Sequence, residues 1–149
     1  MAEHLPREII REIILCNVDP EAPLPDMFNL YRDVPPFRPK ALAYLAVSKA
    51  WHGATVSIVY RTIVLRTKRQ AEALATTVHR DYRLGHYIRN LMFCGGFGRA
   101  SKTILTSATN LHTIAITLHI QAKDSVLGLL SGLRLVNPAQ LIVRPHRPH

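Results

Sequence analysis

Apolar positions along the chain change period at recognisable points. Leu5, Ile9, Ile10, Ile13 and Ile14 recur at helical spacing, with Glu8 and Glu12 on the other side. Pro6 suits a first helical turn, where its missing N–H costs nothing, and Glu8 sits near the positive end of the helix dipole. The spacing predicts a helix that ends around Cys16–Asn17. Residues 17–40 then carry six of the ten prolines, which excludes regular structure through that stretch. Met27, Phe28, Leu30, Tyr31 and Phe37 within it read as apolar anchors of a draped loop, or as a short peptide-binding lip. Ala41–Ala46 reads as a short helix, and Ser48 as the N-cap of a second helix carrying Trp51, Ala54 and Val56 to about Val59. The β-branched run Thr62–Leu65 predicts a strand. Thr67 and Gln70 form a capping-box pair ahead of Ala71, Leu74, Ala75 and Val78, which predicts one helix ending before Leu84-Gly85.

The second half repeats a short phrase. Tyr60-x-x-Ile63-x-Leu65 returns as Ile88-x-x-Leu91-x-Phe93, as Leu111-x-x-Ile114-x-Ile116 and as Pro138-x-x-Leu141-x-Val143. The central positions 63, 91, 114 and 141 are 28, 23 and 27 residues apart. Helix-like segments lie between them, at Gln70–His79, Ser101–Ala108 and Asp124–Leu133. Strand plus helix at this period resembles leucine-rich repeat units, in which each unit buries its apolar face on the next. The usual Asn at the turn is missing, and an ordinary α/β domain with a small parallel sheet is the competing reading. In a solenoid, Asn90, Met92, Thr113 and Ala115 would point away from the core set, towards a ligand-presenting face.

Composition narrows the class. With 149 residues, 48% hydrophobic and 19% charged, the chain has material for a packed core. It carries 19 Lys plus Arg against 10 Asp plus Glu, a net +9 that favours an acidic partner. The charge is uneven: residues 1–40 hold 5 basic and 7 acidic groups, 41–99 hold 9 and 2, and 100–149 hold 5 and 1. Two cysteines, Cys16 and Cys94, are too few for a disulfide scaffold and read as reduced thiols of a cytoplasmic or nuclear protein. The acidic N-terminus lacks the apolar run of a signal peptide, and no stretch reads as a membrane span.

Four constellations bear on chemistry. Gly95-Gly96-Phe97-Gly98 follows a predicted strand and leads to Ser101-Lys102-Thr103, the context of a phosphate loop. Ser101 stands where that pattern needs its last glycine, and Asp124 is the one later carboxylate side chain, so a tight strand-to-helix turn is the better reading. The eight histidines show no metal-ligand spacing, so neither a metal nor a cofactor is expected. No nucleophile elbow or Cys–His pairing is recognisable, which points away from an enzyme. Arg61, Arg66, Lys68, Arg69, Arg80, Arg83, Arg89 and Arg99, with Tyr82 and Tyr87, leave a basic nucleic-acid-binding module as the alternative reading.

Leu5-Pro6-Arg7-Glu8-Ile9-Ile10 resembles the opening of the F-box. Ala43–Trp51, with Val47-Ser48-Lys49-Ala50-Trp51, resembles its second block, and Val59-Tyr60-Arg61-Thr62-Ile63 the segment that often follows. Thr67–Ala71 and Gly95–Gly98 are similar to stretches in F-box-like proteins of mushroom-forming fungi. The resemblance covers residues 5–60, interrupted by the proline-rich insert. Together with the strand–helix repeat it gives an α+β chain: an N-terminal three-helix F-box-like unit at 1–60 with the insert at 17–40, a short β/α leucine-rich-repeat-like solenoid with a small parallel sheet at 61–144, and a flexible basic tail at 145–149.

It also implies a non-catalytic substrate adaptor of a cullin–RING ubiquitin ligase. The Skp-family linker, and through it the cullin, would be the partner, with an unidentified protein substrate held on the repeats. Carried over position by position, Leu5, Pro6, Ile9, Ile10 and Ile13 would be first-helix contacts. Leu42, Leu45, Val47, Ser48, Trp51 and Tyr60 would serve the second block; the competing reading packs Ile10, Ile14, Leu45 and Val56 within the domain and puts Trp51 in its core. Long insertions cost only slowly growing closure entropy, so the insert is compatible with the fold, although it falls where docking would occur. The array is short for a solenoid and its last strand has no following helix, the mark of a truncated or degenerate copy or of a fragment of a longer chain.

Overall fold

The computed structural model describes residues 5–17, 43–117 and 124–144. The readings for residues 18–40, for Leu42 and for the 145–149 tail lie outside the described residues. The chain divides into two units, Met1–Val59 and Tyr60–His149.

In the first unit, helix α1 spans Arg7–Asn17. The Pro6 carbonyl accepts the Ile10 N–H at 3.1 Å, so proline opens the helix. A helical turn at residues 43–45 precedes α2, Lys49–Val59. The Ser48 hydroxyl accepts the Trp51 N–H at 3.4 Å, the N-cap role its position predicts. Ile10 and Ile14 are buried against Tyr44, Ala50, Trp51, Ala54, Ile58 and Val59, which joins α1 to α2.

The second unit alternates strands and helices. Its strands are β1 (Thr62–Leu65), β2 (Asn90–Phe93), β3 (Thr113–Thr117) and β4 (Gln140–Arg144). All pairings are parallel and the sheet order is β1-β2-β3-β4. The positions aligned by the sequence repeat are register partners: Ile63 with Leu91, Leu91 with Ile114, and Ile114 with Leu141. Just before the strands one backbone pattern recurs. The Arg61 carbonyl accepts from Arg89 and Asn90, the Arg89 carbonyl from His112 and Thr113, and the His112 carbonyl from Gln140.

The helices are α3 (Lys68–Arg80), α4 (Tyr82–Tyr87), α5 (Arg99–Ser107) and α6 (Leu127–Leu133). The predicted capping box opens α3: Thr67 accepts the Gln70 N–H, and the Gln70 side chain accepts the Thr67 N–H. Ala71, Ala75 and Val78 bury the stripe that faces Leu65, Leu91, Phe93 and Ile114 in the main core.

One element and one boundary differ from the sequence reading. Helix α3 ends ahead of Leu84, as its pattern predicts, but an unpredicted helix, α4, starts directly after Asp81, which has extended backbone. Its N–H closes α3 on the Thr77 carbonyl, while its carboxylate accepts the Arg83 N–H and opens α4. The Arg83 guanidinium also holds the Asp81 carboxyl below its ordinary range. The helix predicted from Asp124 begins at Leu127, because Asp124 is turned to another task described below.

The sheet face opposite the core also differs from expectation. Met92, Thr113 and Ala115 are buried, and all five residues of β3 are covered on both faces. The centre of that face is therefore closed to a ligand; Asn90 is half-buried and donates from its amide to the Thr62 hydroxyl at 3.1 Å.

Close packing makes two glycines respond in opposite ways. A Cβ on Gly128 of α6 would strike the Gly98 carbonyl, whereas one on Gly53 of α2 would meet nothing within 4 Å. Gly128→Ala should therefore destabilise the second unit by about 1–3 kcal/mol through overpacking. Gly53→Ala should stabilise the first by roughly 0.5–1 kcal/mol by removing glycine's helix penalty. Urea unfolding followed by the fluorescence of the one tryptophan, Trp51, and by far-UV circular dichroism reads the two changes separately.

Candidate functional site

Helix α1 carries more apolar surface than its own packing uses. Successive residues lie 100° apart on a helix, so five large aliphatics at 5, 9, 10, 13 and 14 form two neighbouring stripes. Ile10 and Ile14 make the inner one, and Ile10 is 2% exposed. Leu5, Ile9 and Ile13 make the outer one; Leu5 and Ile9 are each 47% exposed. Glu8 and Glu12 are exposed on the same helix.

The inner stripe rests on an aromatic pair. Tyr44 and Trp51 stack with ring centroids 5.5 Å apart and planes 23° apart. The Thr55 hydroxyl, fully buried, donates to the Trp51 carbonyl at 2.7 Å. His52 Nδ1 lies 3.3 Å from the Leu45 carbonyl. These contacts fix the turn that carries Val47 and Ser48 into α2.

The candidate docking residues therefore separate into groups. Leu5, Pro6, Ile9 and Ile13 are exposed, as are Val47 and Ser48. Leu45 and Trp51 are half-buried. Ile10, carried over as a contact but also read as a packing residue, is spent inside the unit and is not at the surface. Tyr60 falls in the second unit; partial burial raises its hydroxyl pKa. Leu42 lies outside the described residues. Tyr44 and Ile58, which pack beside Ile10 and Ile14, are not among the residues carried over as contacts, although Tyr44 stands seven residues before Trp51.

The glycine-rich segment has a different fate. The Asp124 carboxylate accepts the Gly96 N–H at 2.6 Å and the Phe97 N–H at 2.8 Å. The Gly98 N–H donates to the Ser125 carbonyl at 2.9 Å, and the buried Ser101 hydroxyl donates to the Gly96 carbonyl at 2.6 Å. Phe97 and Gly98 both have positive φ, 53° and 60°. Phe97 bears that backbone strain with its ring buried in the main core, and Gly98 has no side chain to strain. Three of the loop's N–H groups, which an external phosphate would need, are thus given to the Asp124 carboxylate and the Ser125 carbonyl.

The eight basic residues of the alternative reading lie at opposite ends of the strands. Arg61 and Arg89 precede strands, and Arg80 and Arg83 flank the α3–α4 junction at the same end. Arg66 follows β1, while Lys68, Arg69 and Arg99 lie in the first turns of helices at the other end. One nucleic-acid track along either edge would meet only part of the set. Among the described residues, no group of three His, Cys, Asp or Glu side chains is placed to hold a metal ion, and no helix is long and apolar enough to cross a membrane. Burial raises the Cys94 thiol pKa above its ordinary value, outweighing the lowering by the Arg66 charge and the Thr117 hydroxyl. A thiol held protonated at neutral pH is a poor nucleophile.

Comparison with protein-family models, with curated proteins and with solved structures finds no match to this chain.

Asp124→Ala strips the acceptor from two loop N–H groups and should cost about 1–3 kcal/mol in urea unfolding, with Asp124→Asn costing less because one oxygen acceptor survives. In a Cys16→Ser background, alkylation of Cys94 should be slow at pH 7 and accelerate at a higher pH than that of a free thiol, because the thiolate forms later.

Proposed function

We propose that this chain is a non-catalytic, F-box-like adaptor of a cullin–RING ubiquitin ligase. Its first unit docks on a Skp-family linker subunit, and its second, read as a short leucine-rich-repeat-like array, carries a protein substrate. The observation that carries the proposal is the double stripe of α1. Two isoleucines suffice to seat the helix on α2, yet a second apolar row, Leu5, Ile9 and Ile13, lies exposed beside them. Water-exposed aliphatics in a row favour a protein partner, and they fall on positions that resemble the F-box contact helix. The Ser48 cap and the Trp51–Tyr44 stack support the same reading of the second block, because they hold Val47 exposed at the entry to α2.

Roles follow from burial. Leu5, Pro6, Ile9, Ile13 and Val47 make the contact, with Ser48 shaping the turn. Ile10, Ile14 and Trp51 hold the contact helix at its angle. The surplus of basic over acidic residues in 41–99, nine against two, suits an acidic linker surface and would speed encounter more than it would add affinity.

Co-expression with a Skp-family subunit should yield a complex that survives purification. Ile9→Lys alters an exposed side chain and should weaken that complex at least about 30-fold while leaving thermal unfolding unchanged, as for a buried interface anchor of about 2 kcal/mol. Leu5→Ala with Pro6→Ala should act in the same direction. A folded chain that fails to capture the linker, or an Ile9→Lys chain that captures it as well as the parent, contradicts the proposal.

A further inference from the structure

The last β/α layer of the second unit breaks the rule that apolar residues go inside. Leu141 and Val143 of β4 are register partners of Ile114 and Ile116, both buried in the main core. They occupy core-side positions, yet Leu141 is 55% exposed and Val143 is exposed to a similar degree. On α6, Leu127 is 72% exposed and Leu130 is exposed too, as is Leu135 just beyond the helix. Beneath them Leu129 and Gly132 pack inward, so α6 is a two-sided helix with one side covered. Strand β4 pairs with β3 along one edge, and no other strand among the described residues pairs with its second edge.

An apolar edge strand of this kind is a template for another strand, and proteins that keep such an edge single protect it with charged side chains, proline or a bulge. Within Gln140–Arg144 there is no proline and no bulge, and the one charge, Arg144, stands at the end of the strand. Charge does not oppose contact through this layer. Residues 124–144 contain one acidic side chain, Asp124, and two basic ones, Arg134 and Arg144. Two copies of a +9 chain that meet here do so through a weakly charged stretch.

We propose that this layer is a homodimer interface in which β4 pairs antiparallel with β4 of a second copy, continuing the sheet. The strand is self-complementary about Ile142: Leu141 then stands opposite Val143 of the other chain, and Gln140 opposite Arg144. The two-fold axis runs perpendicular to the sheet, which keeps both helix layers on one side and sets α6 beside its copy. Leu127 and Leu130 meet across the axis and roof Leu141 and Val143, so the exposed residues are buried in one step. These side chains and Leu135 expose on the order of 500 Å², a large part of the roughly 800 Å² per partner in a standard interface, and the new ladder adds main-chain area.

Sedimentation equilibrium of the full chain across micromolar concentrations tests the inference, independently of the linker reading. The parent should pass from monomer to twice the monomer mass. Leu141→Lys with Val143→Lys should weaken dimerisation at least tenfold with unchanged circular dichroism. Ile142→Cys, in a Cys16→Ser, Cys94→Ser background, should form a covalent dimer on mild oxidation, because residues opposed across an antiparallel pair have Cα atoms about 4.5–5.5 Å apart. That variant decides the matter if the double lysine chain misfolds. A chain that stays monomeric, a dimer indifferent to the lysines, or a dimer that does not cross-link through residue 142 overturns the proposal.

Discussion

In a parallel ladder each strand must be followed by a crossover that returns the chain to the same end of the sheet, because a tight turn can only reverse it. That requirement organises the second unit. Each interval between register partners, 28, 23 and 27 residues, has to hold a turn, at least one helix and a second turn. The longer first interval accommodates two helices, split at Asp81, and the shortest holds α5 alone. Holding the strands in register then makes Ile63, Leu91, Ile114 and Leu141 equivalent, so one pattern of core residues serves the whole layer until α6, beyond which Leu141 and Val143 lack cover.

The crossovers themselves need anchors, and the molecule supplies them with carboxylates. Asp124 reaches back to the Gly96 and Phe97 N–H groups, fastening the end of one strand to the start of the next helix. Asp81 ends one helix and starts another in a single residue. In a chain with only ten acidic residues, two of them serve backbone amides in the second unit. Its remaining surface is correspondingly basic, and its main sites of organised polar chemistry are structural.

How far this was readable from residues depends on the range of the interaction. The Thr67–Gln70 capping box, the Ser48 cap and the strand register were legible because each is written in neighbours or in a repeated phrase. Helix α4 was not, since six residues are too few to show an apolar period and the Asp81 side chain opens it. The role of Asp124 was hidden because its partners lie 27 and 28 residues away. Burial of Met92, Thr113 and Ala115 was equally invisible: alternation assigns them a face but not whether that face is open. At the candidate site, helical periodicity identified five aliphatics on α1 and offered Ile10 and Ile14 as the packing pair, and their burial against Tyr44 and Trp51 sets them apart from Leu5 and Ile9. One helix thus has an inner row that holds it and an outer row to spend on a partner.

The central claim is that the outer row of α1 is spent on a linker subunit. Hydrogen exchange of the intact chain, with and without a purified Skp-family linker, reads this directly because amides report each helix separately. The account predicts slowed exchange in α1 and in the start of α2, with β1 to β4 unchanged. Equal exchange in α1 with and without saturating linker, or protection confined to the β/α array, would contradict it.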